Sequence, residues 1–239
     1  MNRHPSILRS ALLAFALLGA ADVLAQRPLS SAEDQPPPVE PVSLASLVEA
    51  SDLVALAQVA DTDYVYARGF PTGGTAILRP LIGYKLTRPL EDLFELYEEG
   101  LREYECYFDN PPPGEEGRRF LVFAKRNEKV ADQYVPPPQG CALEVLVTAD
   151  NRYALKLPVE GVALSDDLAA LGVPMDYADR YAVIGEDDVS PAERDRLLEG
   201  GWIEPAGDGA WRYTKGVDLA EVRRLLGPEA LTLDRSLKR

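Results

Sequence analysis

Histidine is almost absent from this sequence, since His4 is the only one among 239 residues. Histidine is the side chain whose ordinary pKa suits proton transfer near neutral pH, and it is the commonest metal ligand in proteins. Because His4 lies in a segment with the features of a signal peptide, the chain left after export has no histidine. Ser-His-Asp and Cys-His hydrolases, zincins and histidine-ligated copper or iron sites are then excluded.

Other signatures of catalysis are missing as well. No serine occurs between Asp52 and Leu164, and no G-x-S-x-G sequence occurs anywhere, so a nucleophile elbow is not expected. The glycine-rich stretch 69–74 lacks the Lys-Ser/Thr of a phosphate-binding P-loop. The sequence therefore predicts no catalytic residue, no cofactor and no metal ligand.

Acidic residues, by contrast, are abundant and occur in short clusters. None of the clusters matches the spacing of an EF-hand loop, and adjacent pairs are expected by chance in a chain with 39 Asp and Glu residues. We interpret them as solvated surface, with a calcium site or an acid/base pair as the alternative. The clusters are Asp61 with Asp63, Glu115 with Glu116, Asp166 with Asp167, and Glu186 with Asp187 and Asp188.

Positive charge is scarce: 25 Lys and Arg residues face the 39 acidic ones, for a formal net charge of −14. Nucleic acids and anionic membrane surfaces are recognised through Lys and Arg, so both are excluded as partners.

Apolar runs are also short. The longest, 11–21, cannot span a bilayer as a stable helix, and a soluble protein without a membrane span is expected.

The first residues have the order of parts found in a secretory signal peptide. Two arginines among the first nine residues precede the apolar run 11–21, and small residues follow at Val23 and Ala25. This pattern predicts cleavage after Ala25 and a mature chain that begins at Gln26, in a bacterial periplasm or secreted. An uncleaved N-terminal helix is the alternative. No cysteine follows the cleavage site, so a lipid anchor is not expected.

Composition divides the rest of the chain into three parts. Residues 26–42 are rich in Pro, Ser and acidic residues and have no apolar period, which predicts a disordered leader. Residues 43–160 are mostly strand-like and are assigned to an OB-like β-barrel domain of five or six strands. Residues 161–239 are assigned to a small α+β unit in the order helix, hairpin, helix.

The start of the barrel domain is read from apolar spacing. Residues 44–50 have helical spacing with Ser43 as the N-cap, and the run 53–67 predicts a long strand, buried on both faces in its first half, with a bulge near Asp61. A turn over 69–75 and a second strand over 76–87 complete a hairpin. After Pro89, the spacing of Leu90, Leu93, Phe94, Tyr97 and Leu101 predicts an amphipathic helix.

Further strands are expected at 104–108, 119–125, 142–148 and 153–157, with proline runs in the loops between them. In the C-terminal unit, acidic residues cap a short helix at 168–171, and Ser190-Pro191 with Glu193 forms a capping box for a helix that ends at Glu199. A hairpin over 202–214 and a helix over 219–226 follow.

The two cysteines and a group of tyrosines are the residues singled out. Cys106 and Cys141 are an even pair in an exported chain, which predicts a disulfide rather than a redox dithiol, since neither has a C-x-x-C partner. Alternating tyrosines on predicted strands suggest a concave binding face, with ordinary sheet packing as the alternative. These are Tyr64, Tyr66, Tyr104 and Tyr107.

The segment 43–157, about half of the chain, resembles exported bacterial domains related to the netrin and tissue-inhibitor-of-metalloproteinase (TIMP-like) group. The resemblance rests on SLVEASDLVALAQV (46–59), on Cys106, on Gly114 followed by FLVFA (120–124), and on Cys141. It implies an OB-type β-barrel. In the animal inhibitors a cysteine at the mature N-terminus chelates the protease zinc. The corresponding residue here is Gln26, so protease inhibition does not carry over.

The sequence thus favours an exported, periplasmic and soluble protein that acts as a non-enzymatic binding or interaction module. One alternative is a histidine-free envelope enzyme that uses paired carboxylates, as glycoside hydrolases do. Another is a purely structural envelope component. The sequence does not indicate the ligand, the partner or the oligomeric state.

Overall fold

A computed structural model describes residues 38–227. The predicted signal peptide, its cleavage site and most of the predicted leader lie outside the described residues. The α-helices of the described part are α1 (Leu44–Glu49), α2 (Pro191–Glu199) and α3 (Leu219–Leu225). The strands are β1 (Leu53–Ala67), β2 (Phe70–Leu86), β3 (Phe94–Glu99), β4 (Arg119–Arg126), β5 (Gln133–Val135), β6 (Ala142–Val147), β7 (Tyr153–Lys156), β8 (Val173–Pro174), β9 (Val183–Ile184), β10 (Ile203–Gly207), β11 (Ala210–Tyr213) and β12 (Lys215–Asp218).

Five strands close into a barrel. β1 pairs antiparallel with both β2 and β4, and β2 pairs antiparallel with β3. β3 then runs parallel to β5, and β5 runs antiparallel to β4, which completes the ring. The structure confirms the prediction of a mainly β fold with an OB-like barrel and a small helical C-terminal unit.

The first half of β1 is buried on both faces, as its continuous apolar run predicts. Leu53 and Ala55 point into the barrel, where they pack with side chains from the other four barrel strands. Val54 and Leu56 point the opposite way and pack with α1 and α3. Because side chains on both faces of β1 are buried, this strand contributes to two cores. Full burial of each leucine stabilises the fold by roughly 2 kcal/mol relative to an exposed side chain.

The helix α1 confirms the prediction at 44–50. The Ser43 hydroxyl accepts a hydrogen bond from the Ser46 N–H at 3.1 Å, which caps the first turn. Leu47 and Val48 are buried against the outer face of the barrel.

The turn predicted over 69–75 is wrong. The chain reverses at Arg68 and Gly69, both with positive φ (54° and 85°), as in the two-residue hairpin turns that match strand twist. β2 therefore begins at Phe70 and extends the hairpin by six residues. A Cβ at Gly74 would lie 2.2 Å from the Asp63 carbonyl oxygen, so the close approach of the two strands requires glycine there.

The predicted amphipathic helix after Pro89 is also wrong, because residues 94–99 form the strand β3. Phe94 and Leu96 both face the barrel interior, which is the two-residue period of a strand. Leu93 and Leu101, which a helix would bury, are 44% and 63% exposed. Backbone pairing with β2, the preceding strand, decides this segment.

The strand predicted at 104–108 is replaced by an extended segment that belongs to no sheet. Its backbone donors bond to side chains instead of a neighbouring strand. The Cys106 N–H donates to a Glu98 carboxylate oxygen at 3.0 Å, and the Phe108 N–H donates to the Tyr64 hydroxyl at 3.2 Å. The segment thereby covers the interior of the barrel without adding a strand.

The remaining predicted strands are confirmed as β4, β6 and β7. The sequence did not predict β5, which has three residues and leads into a proline run. After β7, β12 pairs antiparallel with it, so the C-terminal unit contributes to the same nine-stranded sheet as the barrel strands.

The C-terminal unit has the predicted helix, hairpin, helix order. The Ser190 hydroxyl accepts from the Glu193 N–H at 3.2 Å with Pro191 in the first helical position, so the predicted N-cap of α2 is confirmed. The Glu193 carboxylate accepts from the Arg196 Nε at 3.0 Å, so the second bond of the predicted capping box is replaced by an ion pair. β10 and β11 form the hairpin, to which β9 adds a third strand. α3 packs Leu219 and Val222 into the outer core that also contains α1. Within residues 38–227, no helix is long and apolar enough to cross a membrane.

Candidate functional site

The predicted disulfide between Cys106 and Cys141 is present, with a Cα–Cα distance of 5.9 Å. Cys106 lies in the extended segment after β3, and Cys141 directly precedes β6. Both are buried with the side chains of the barrel interior. The bond therefore joins the segment after β3, which covers the barrel interior, to the start of β6.

The structure brings two of the four predicted tyrosines together. The rings of Tyr64 and Tyr107 meet edge to face with 5.1 Å between their centroids, and the Tyr107 hydroxyl donates to the Gly100 carbonyl at 2.8 Å. Tyr66 is 59% exposed near the end of the β1–β2 hairpin, and Tyr104 is half-buried in a turn. The four do not alternate on strands, because 104–108 is not a strand, and the binding face stays a prediction.

Members of three acidic clusters form hydrogen bonds or ion pairs within the fold. Glu115 pairs with Arg180, and an Asp166 oxygen accepts from the Leu44 N–H at 2.6 Å, which ties α1 to the C-terminal unit. An Asp188 oxygen accepts from the Gly185 N–H at 2.6 Å. Among residues 38–227, no group of three or more Cys, His, Asp or Glu side chains is placed to hold a metal ion.

The most distinctive surface is the tip of the β1–β2 hairpin, here defined as residues 65–72. The pairing of β2 with β3 stops at Gly73, whereas the pairing of β2 with β1 continues to the turn. The tip is therefore a ribbon of two strands. The four most exposed large hydrophobic side chains of the described chain lie at the tip or beside it. They are Val65 (68%), Phe70 (66%), Leu101 (63%) and Tyr66 (59%). Leu101 adjoins the tip because the N–H of the preceding Gly100 donates to the Thr72 carbonyl at 3.1 Å.

The tip is flanked by a free strand edge and by acidic side chains. β4 pairs with β1 only as far as Gln58, and no strand within residues 38–227 pairs with that edge of β1 farther out. Asp61 and Asp63 are exposed along this edge, and Glu103 and Glu105 are exposed in the segment that packs across the hairpin. An apolar tip with acidic flanks and unpaired backbone groups is typical of a protein interaction surface.

The sequence carries a signal for the turn at this tip. Arg68-Gly69 stands between two β-rich runs, which is the length of a two-residue hairpin loop. The Pro and glycines at 71–74 favoured a loop instead. The sequence therefore predicts Phe70 in the turn and Tyr66 on the preceding strand, as part of the predicted binding face.

A second candidate is a cleft of about 180 Å³ between the barrel and the segment after β7. Its charged centre is Glu144 on β6. One carboxylate oxygen accepts from Arg118 at 2.8 Å, and the other lies 2.5 Å from the Lys156 Nζ. Glu144 and Lys156 are only 11% and 12% exposed at the side chain. Both are charged residues within apolar strands, which is the signal that identifies them in the sequence.

The ion pair determines what this cleft does chemically. Burial alone would lower the pKa of the Lys156 ammonium, but the adjacent Glu144 outweighs that loss of hydration and raises the pKa above its ordinary value. The ammonium also lies 4.7 Å from the centre of the Tyr213 ring. The raised pKa favours the protonated ammonium form of Lys156 at neutral pH.

Around this pair, cation–π contacts connect the C-terminal unit to the barrel. The Tyr181 ring lies between the guanidinium groups of Arg118 and Arg180, at 4.8 and 4.9 Å from its centre. The Tyr181 hydroxyl donates to the Glu116 carbonyl at 2.7 Å. These contacts indicate that the charged centre holds the two parts of the fold together.

In comparisons with known proteins, no protein-family model, no curated protein and no solved structure matches this chain. The resemblance to the netrin and TIMP-like group therefore stays a prediction.

Proposed function

We propose that this protein is an exported, non-enzymatic interaction module that binds a partner protein through the tip of its β1–β2 hairpin. The observation that carries the proposal is the grouping of Val65, Tyr66, Phe70 and Leu101 as the most exposed large apolar side chains of the described residues. Large apolar side chains that are exposed at one place and flanked by polar residues are typical of protein interaction sites.

The charge around the tip supports a partner with a cationic surface. The exposed flanking residues Asp61, Asp63, Glu103 and Glu105 are all acidic. Basic residues around an apolar pocket on the partner would complement both features, since electrostatic complementarity contributes to specificity and to the association rate. Export is supported by the disulfide, which persists in oxidising compartments.

The alternative of a paired-carboxylate enzyme lacks such support. Such an enzyme needs a carboxyl group whose pKa is raised so that it can donate a proton. Among the described residues, hydrogen bonds from Thr148 and Arg152 lower the pKa of Asp150, and a hydrogen bond from Arg196 lowers that of Glu193. In the cleft between the barrel and the segment after β7, the carboxylate of Glu144 is paired with Lys156.

The proposal is tested by affinity capture from the envelope fraction with three forms of the protein. The first is the wild type, and the second carries Val65→Ser, Tyr66→Ser and Phe70→Ser. The third carries Leu171→Ser and Val173→Ser, which are also exposed apolar residues, at 45% and 49%. We expect the same partner on the wild type and on the third form, and its loss from the second. Equal capture by all three forms, or no capture by any, would overturn the proposal.

A further inference from the structure

A groove of about 470 Å³ lies where β3, the end of β4 and β5 meet. It differs from the rest of this acidic protein in the sign of its charge. Four cationic side chains line it against three carboxylates. The cations are Arg102, Lys125, Arg126 and Lys129, and the carboxylates are Glu98, Glu99 and Glu128.

Three of the cations have no bonding partner. The side chains of Lys125, Arg126 and Lys129 make no hydrogen bond, ion pair or ring contact with any residue between 38 and 227. Eight arginines elsewhere in the described part of the fold, among them Arg88 and Arg152, are paired with carboxylates. The groove therefore concentrates cations that the protein itself leaves unneutralised.

One of the three carboxylates is already neutralised. Glu98 is 1% exposed and is bonded to Arg102, and its oxygens also accept from the N–H groups of Glu99 and Cys106, each at 3.0 Å. These bonds fix Arg102 at the wall of the groove. The remaining carboxylates, Glu99 and Glu128, are exposed and leave an excess of positive charge. The lining thus has one cation more than it has carboxylates, and this excess favours ligands of negative charge.

The loop after β4 is held in place by its own hydrogen bonds. The Asn127 N–H donates to the Gln133 carbonyl at 2.9 Å, and the Asn127 side-chain amide donates to the Gln133 side-chain carbonyl at 2.7 Å. The Lys129 N–H in turn donates to Asn127 Oδ1 at 2.9 Å. The backbone that carries Lys129 is thus ordered before any ligand binds, which reduces the entropy lost on binding.

We propose that this groove binds a small organic anion through a carboxylate or a phosphate group held by Lys125, Arg126 and Lys129. Charge-assisted hydrogen bonds from ammonium and guanidinium groups are the usual protein contacts of both oxyanions. The volume lies within the range of small-molecule sites. Tyr97 lines the same groove and adds aromatic surface for the uncharged part of the ligand.

Calorimetric titration at low ionic strength tests this site with three probes of similar ring structure. Glucuronate carries a carboxylate, glucose 6-phosphate carries a phosphate, and glucose carries neither. We expect at least one of the two anions to bind and glucose not to bind. The anion that binds more tightly identifies the preferred group.

Two triple variants complete the experiment. The groove variant carries Lys125→Gln, Arg126→Gln and Lys129→Gln, and we expect it to bind the anion at least about tenfold more weakly. The control variant carries Arg79→Gln, Arg212→Gln and Arg224→Gln, which removes three exposed cations outside the groove and should bind as the wild type does. Equal melting temperatures establish that both variants are folded.

Three results would overturn the proposal. The first is the absence of binding by both anions at concentrations up to about 10 mM. The second is binding of glucose as tight as that of the anions. The third is an equal loss of affinity in the two triple variants, which would mean that overall charge, and not the groove, attracts the anion.

Discussion

The buried carboxylate of Glu144 allows a quantitative test of how the two parts of the fold are joined. The substitution Glu144→Gln keeps the size of the side chain but removes its charge. Lys156, at 12% exposure, then loses the carboxylate 2.5 Å from its ammonium. Arg118 retains Asp109 at 3.7 Å and the Tyr181 ring. Removal of one partner from a buried ion pair costs about 3–5 kcal/mol, and we expect about 3 kcal/mol because Arg118 keeps these other contacts.

Glu221→Gln is the matched control, because Glu221 pairs with Arg224 at 2.6 Å while both side chains are more than half exposed. An exposed pair of this kind contributes less than about 1 kcal/mol. Urea denaturation measures both free energies of unfolding, with equal m-values as the check that unfolding stays two-state. If the two substitutions lower the stability by the same amount, the charged centre does not hold the fold together.

Three other predictions concern stability. Removal of the disulfide by Cys106→Ala with Cys141→Ala should lower the free energy of unfolding by about 4 kcal/mol, from the loop it closes, and a change in urea denaturation below about 1 kcal/mol would contradict this. Gly74→Ala places a Cβ 2.2 Å from the Asp63 carbonyl oxygen and should lower the free energy of unfolding by more than about 2 kcal/mol. Gly69→Ala, also with positive φ but in open space, should lower it by about 1 kcal/mol. Equal losses of stability in melting experiments would exclude the steric explanation. Burial raises the pKa of Tyr84 to about 12 and raises that of Tyr64 and Tyr177 above the ordinary value of 10.0. The unfolded chain therefore ionises first and stability should fall as the pH rises from 10 towards 12, and a urea midpoint that does not change over this range would refute the assignment.

The sequence was most informative where local signals agreed with the final packing. The continuous apolar run at 53–59 predicts burial on both faces, and β1 is in contact with two cores. Ser190 and Pro191 define the start of α2 through backbone donors that only a cap satisfies. The cysteine pair is similar, because a single pair of cysteines in a chain predicted to be exported favours a disulfide.

The errors occur where pairing with another strand, and not the local sequence, decides the structure. The spacing of Leu90, Leu93, Phe94, Tyr97 and Leu101 fits a helix, but pairing with β2 makes β3 a strand and leaves Leu93 and Leu101 exposed. β5 has only three residues, and its parallel contact with β3 has no local signature.

The candidate surfaces were less predictable than the fold, for a related reason. The exposure of Val65 and Phe70 depends on where β3 ends against β2, and a single strand's composition does not show this. The cationic groove could not be predicted from one segment either, because it combines residues of β3, β4 and β5 that only the folded sheet brings together.

The central claim is that the hairpin tip contacts a partner protein, and photo-crosslinking in intact cells tests it most directly. A photoreactive amino acid replaces Tyr66 at the tip or, as the control, the exposed Glu204 on the hairpin strand β10. The account predicts a discrete crosslinked product from position 66 that is absent from position 204 and that disappears when Val65→Ser and Phe70→Ser are added. No product from position 66, or the same products from both positions, would contradict it.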